Sequence, residues 1–71
     1  MYDTEGRRAL VTVLATLTAT EVAARVRWSV QAVSDWSGGK RRPRRVARIA
    51  LEREVGIPLE SWEKTVFLPR R

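Results

Sequence analysis

Cysteine and histidine are both absent from this chain. Without cysteine there are no disulfides to staple the fold and no thiolate metal ligands, and without histidine the commonest metal ligand and general base is missing. Aromatic residues amount to only 7% of the chain. No apolar stretch approaches the ~20 residues of a membrane span. The remaining residue types offer no convergent catalytic set, so neither an enzyme nor a metal or cofactor site is expected. The N-terminal Arg7-Arg8 followed by Ala-Leu-Val-Thr-Val-Leu-Ala loosely imitates a secretory leader. Asp3 and Glu5 precede the arginines, however, and four threonines dilute the apolar run, whose spacing is helical; a folded helix is the expectation.

What the chain does contain is arginine. Its 14 basic residues outweigh 8 acidic ones for a formal charge of +6, which favours an anionic partner. The excess is local: from Arg25 to Arg48, eight basic residues accompany the single acid Asp35, whereas the rest of the chain carries six basic and seven acidic residues. A generic solvated surface would spread its charge more evenly. With 44% hydrophobic and 31% charged residues in 71 positions, the chain suits one compact domain over residues 1–71. A chain this short buries only about 60% of its unfolded surface, so its core must be small.

Hydrophobic spacing gives an all-α fold of four to five helices. Leu10, Val13, Leu14 and Leu17 fall at i, i+3, i+4 and i+7, one face of a helix from about Thr4 to Thr16. Thr18-Ala19-Thr20-Glu21 fits a capping box, with Leu17 and Val22 as the hydrophobic staple around it. This second helix buries Val22, Ala23 and Val26 and ends near Val26. Only Arg27 and Trp28 separate it from Ser29, a good N-cap for a third helix that turns Val33 and Trp36 inward and stops at Gly38-Gly39. After the basic Lys40 to Arg42, Pro43 suits the first turn of a fourth helix. Its inward face reads Val46, Ala47, Ala50, Leu51 and Val55, with Ile49 at the edge and Gly56 as the stop. Pro58 to Trp62 suggests one more helical turn, and Thr65 to Leu68 an extended segment.

Two short helices joined by a tight turn, the second followed by glycines and a basic loop, form a layout in which the second helix can enter a DNA major groove. Gln31 can donate to N7 and accept from N6 of adenine, Val30 can pack on a thymine methyl, and Asp35 can accept from cytosine N4. Asp35 could equally pair with a nearby arginine. The arginines supply affinity through phosphates and fix the register. Arg44, Arg45 and Arg48 are expected on the outer side of the fourth helix, with a phosphate contact from one of them.

From Leu17 to Pro43 the sequence resembles, without gaps, the helix-turn-helix of the lambda Cro and phage-repressor family, and the likeness continues through Ala50-Leu51-Glu52 and Val55-Gly56-Ile57-Pro58. The resemblance implies a lambda-repressor-like fold in which small Ala23 meets apolar Val33. It also implies base-edge contacts from Val30, Gln31 and Asp35, with Ser34 as a fourth, a phosphate contact from the Ser29 cap, and backbone contacts from Lys40, Arg41 and Arg42. Where the family usually has a turn glycine with positive φ, this chain has Arg27. That substitution costs about 1 kcal/mol and becomes tolerable if Arg27 also touches a phosphate. Trp28, next to it, is bulkier than the usual aliphatic.

Specificity from so small a module usually needs a dimer on half-sites ~34 Å apart. Residues 57–71 are the expected dimerisation segment, through Trp62, Val66, Phe67 and Leu68, with Ile49 as an addition. The opposing expectation is that Trp62 and Phe67 fold back to close the core. The sequence thus points to a homodimeric transcriptional regulator, a phage- or plasmid-type repressor of double-stranded DNA, cytoplasmic and nucleoid-associated in a bacterial host. Its rivals are a protein-binding adaptor, such as an antitoxin or host-inhibiting phage protein, and an excisionase-like architectural protein. The latter would need strands where the fourth helix is expected.

Overall fold

Thr4 opens the first helix: its hydroxyl accepts the Arg7 N–H at 3.1 Å, and α1 runs Glu5–Val13. The computed structural model describes residues 2–66. α1 is shorter than the sequence spacing suggests. Leu14 caps it, and Ala15 and Thr16 donate to the carbonyls three residues back, so the chain tightens into turns that deliver Leu17 to the next cap.

There the capping box is complete. The Glu21 N–H donates to the Thr18 hydroxyl at 3.1 Å, and the Thr18 N–H donates to the Glu21 carboxylate at 2.9 Å. This starts α2 (Ala19–Val26), which buries Val22, Ala23 and Val26. Arg27 ends it in the left-handed conformation, φ 63 and ψ 46, and Ser29 then caps α3 (Val30–Ser37) by accepting the Ala32 N–H at 3.0 Å. Val33 and Trp36 turn inward from α3. Gly38 keeps a right-handed backbone, and Gly39 takes the positive φ of 80 that reverses the chain.

α4 spans Arg45–Val55 and ends at Gly56, which has φ 78. Two expectations fail here. Pro43 lies outside the first turn, because Arg44 is the N-cap; the proline ring is buried and its carbonyl accepts from Arg48 Nε at 2.9 Å. Val46 is 67% exposed. The buried stripe is Ala47, Ala50 and Leu51, and one residue is a step of about 100° around a helix, which swings Val46 off it.

The turn expected after Pro58 is a 3-10 helix, Leu59–Glu63, which we label α5. It packs on α1 and α4, while α2 packs on α3 and α4, and α3 on α1. Trp62, only 1% exposed, is the largest side chain sealed in this core. Gly6 makes room for it, since a Cβ at that position would lie 2.5–2.8 Å from the indole. Trp62 therefore closes the core of its own chain, as in the fold-back alternative, and is withdrawn from any dimer interface. Beyond α5, Thr65 bridges Thr4 antiparallel, flanked by Glu5 N–H to Lys64 O at 2.9 Å and Val66 N–H to Asp3 O at 3.0 Å. Phe67 and Leu68, expected at a dimer interface, lie outside the described residues. The domain is all-α, with four α-helices, one 3-10 helix and no strand among the described residues. No helix among them is long and apolar enough to cross a membrane.

Candidate functional site

Burying Val33 and Trp36 forces the opposite face of α3 outward. Val30, Gln31 and Ser34 are exposed there and Asp35 is half-buried. Gln31 Nε2 donates to Asp35 Oδ1 at 3.0 Å, one helical turn along. The amide keeps its second N–H and its oxygen free, so it can still offer a donor and an acceptor side by side. Asp35 forms no ion pair with an arginine among the described residues, contrary to the alternative drawn from the sequence.

The loop after α3 is tied down from two directions. The N–H groups of Lys40 and Arg41 donate to the Asp35 carbonyl at 2.9 and 3.3 Å. Tyr2 reaches across from the start of the chain, its N–H donating to the Gly39 carbonyl at 3.0 Å and its hydroxyl to the Trp36 carbonyl at 2.7 Å. The Arg42 guanidinium lies 5.2 Å from the centre of the Tyr2 ring, within cation–π range. Burial pushes the Tyr2 hydroxyl up to about 12, against the opposing pull of Arg7, Arg42 and Arg48. Nothing in the sequence pattern marks Tyr2 for this role, because it is an isolated aromatic ahead of the first helix.

These elements enclose a groove of about 340 Å³ lined by Trp28, Ser29, Gln31, Ala32, Asp35, Trp36, Arg41, Arg42 and Arg44. Six of the ten α3 and cationic residues expected from the sequence meet at it: Ser29, Gln31, Asp35, Arg41, Arg42 and Arg44. Val30, Ser34, Arg27 and Lys40 are exposed but outside the groove.

No protein-family model, curated protein or solved structure matches this chain. The chemistry of the site therefore rests on its own geometry.

The ion pairs sort the arginines into two sets. Arg7 and Arg8 hold Asp3 at 3.1 and 3.0 Å, Arg48 holds Glu63 at 2.6 Å, and Arg53 holds Glu54 at 3.3 Å. The hydrogen bonds from Arg8 and Arg7 keep the Asp3 carboxyl below its ordinary value, and Asp3 raises Arg8 in return. Arg48 is thus no outward cation: its side chain is 18% exposed and divided between Glu63 and the Pro43 carbonyl. By contrast, Arg25, Arg27, Lys40, Arg41, Arg42, Arg44 and Arg45 have no carboxylate partner among the described residues. Three of these seven, Arg41, Arg42 and Arg44, line the groove beside α3 and make it locally positive, whereas Arg45 lies with Glu60 and Glu63 at a separate pocket.

Proposed function

We propose that this chain is a sequence-specific DNA-binding transcriptional regulator of the repressor type, with α2 and α3 as a helix-turn-helix and α3 lying in the major groove. The observation that carries the reading is the set of unpaired cations, of which Arg41, Arg42 and Arg44 share one groove with Gln31 and Asp35 on the outward face of α3. An ordinary solvated surface pairs or disperses its charges, as the other described residues do; a phosphate-binding surface leaves them free for counterion exchange.

Within this reading, Gln31 addresses an adenine edge, with its amide oriented by Asp35, and Val30 meets a thymine methyl. Ser34 and the second Asp35 oxygen are the remaining base-facing groups. Ser29 accepts from Ala32 and still has its own O–H to give a phosphate. Arg27, Lys40, Arg41, Arg42 and Arg44 take the backbone. Four base-facing residues discriminate too little for one module to find a site alone, so the regulator acts as a homodimer on two half-sites about one helical turn, ~34 Å, apart. With Trp62 in the core, the exposed Val46 and Ile49 on α4 and Val11 on α1, together with half-buried Val66, are the apolar groups available for that contact. The reading implies a location with DNA, in the cytoplasm and nucleoid of a bacterial host.

Selection of binding sites from random duplex, at two salt concentrations and with Gln31→Ala alongside wild type, tests the proposal. A pseudo-palindrome that loses preference at one position per half-site in the variant, with steep salt dependence in both proteins, supports it. Equal binding of all sequences by both proteins would refute base reading. It would favour the adaptor reading, in which the apolar C-terminal segment matters more than Gln31.

A further inference from the structure

Trp28 has no role in the contacts assigned so far. Of the three tryptophans, Trp36 and Trp62 are 4% and 1% exposed, whereas Trp28 is 37% exposed. The indole is thus left partly open to water directly after the positive-φ turn at Arg27. Its position is defined, because it leans on Trp36 with ring centroids 6.1 Å apart and planes tilted by 57°. From there it lines the same groove as Arg41, Arg42 and Arg44. That cationic lining is held in place by the Asp35 carbonyl bonds and by Tyr2. Asp35 is the sole carboxylate in the lining.

We propose that this groove seats one sugar–phosphate unit of the DNA backbone, with the phosphate on the arginines and the apolar face of the deoxyribose against the Trp28 indole. The inference rests on the DNA-binding reading and adds Trp28 to it as a backbone-contacting residue. A free phosphate would use only the cationic lining and leave the indole wet. A sugar–phosphate offers an anion to the arginines and an apolar face to the indole, and the Asp35 carboxylate disfavours a phosphate seated next to it.

The contact is sequence-independent and uncharged, which sets it apart from both Gln31 and the arginines. Because Trp28 is the exposed indole, acrylamide quenching of tryptophan fluorescence reports chiefly on it. Random duplex at low salt should protect the quenchable component in wild type. Trp28→Ala should weaken binding to selected and random duplex by the same factor, roughly five- to tenfold, leaving the salt slope unchanged. Trp28→Phe, which keeps an aromatic wall, should recover part of the loss, and thermal melts of both variants check their folding. Protection by inorganic phosphate as complete as that by duplex, or tighter binding of a single-stranded oligonucleotide, would overturn the proposal. So would a Trp28 that stays quenchable in a duplex complex that Arg44→Ala weakens; the DNA reading then stands without the groove. A wild type that binds no duplex at low salt removes both.

Discussion

Arg27 is the single non-glycine residue with positive φ among the described residues, and it is also one of the unpaired cations. The left-handed conformation costs a side-chain-bearing residue roughly 1–2 kcal/mol, and glycine returns part of that gain through its extra freedom when unfolded. Arg27→Gly should therefore stabilise the domain by up to about 1 kcal/mol, raising Tm by roughly 4–8 °C in a domain of this size. If Arg27 also holds a phosphate, the same variant should bind DNA less well, so calorimetry and binding should move in opposite directions. Tyr2 offers a second test at this scale, because it is the chain's one tyrosine and its absorbance titration needs no assignment. Its folded pKa of about 12 lies above the ordinary value near 10. A raised folded pKa means that the associated stability is complete below about pH 10 and lost as pH rises toward 12. Native protein should titrate late and urea-unfolded protein near the ordinary value, with Tyr2→Phe showing a shallower alkaline decline.

At the scale of the element, the caps decide where helices start. Removing the Thr18 side chain as Thr18→Ala should cost about 1 kcal/mol in chemical denaturation. The Glu21 carboxyl is held below its ordinary value by the Thr18 backbone N–H first, then by the Thr18 hydroxyl, with Arg25 assisting. A lowered folded pKa contributes stability above the ordinary carboxylate range that disappears as pH falls through the folded value. Glu21→Gln keeps an acceptor in the box without the titration, so its stability should depend less steeply on acid pH than that of wild type. These local devices were legible in the sequence because each is written within three or four positions: the Thr18 box, the Ser29 cap, the turn at Arg27 and the stop at Gly56. The face of α3 was legible for the same reason, since Val33 and Trp36 fix which side Gln31 must take. What escaped the sequence depends on residues distant in the chain. Trp62 reads equally as a dimer contact or as a closing core residue until Gly6 on α1 is seen to receive it, and Tyr2 has no pattern that announces its place beside Arg42. α4 misled through a subtler cause: Val46 belongs to an apolar run, but its angle follows from which residues of the neighbouring helices the stripe must meet.

Across the whole molecule, charge is sorted by partner rather than by element. Arg7, Arg8, Arg48 and Arg53 are spent on carboxylates of the chain itself, and the cations around α3 are not. If the chain binds DNA as proposed, this division predicts which arginines carry the salt dependence. Each phosphate neutralised contributes about −0.9 to the slope of log K against log salt, so replacing one phosphate-contacting cation should make the slope shallower by about 1. Arg44→Ala is expected to do this for selected and random duplex alike, because Arg44 has no internal partner and lines the groove. Arg53→Ala removes the same formal charge from the surface of α4, where Arg53 is already matched by Glu54 at 3.3 Å, and should leave the slope unchanged. Titrations of the two variants at several salt concentrations separate a placed set of phosphate contacts from a general effect of net charge: equal slopes in the two variants would mean that only the total of +6 matters and not its arrangement.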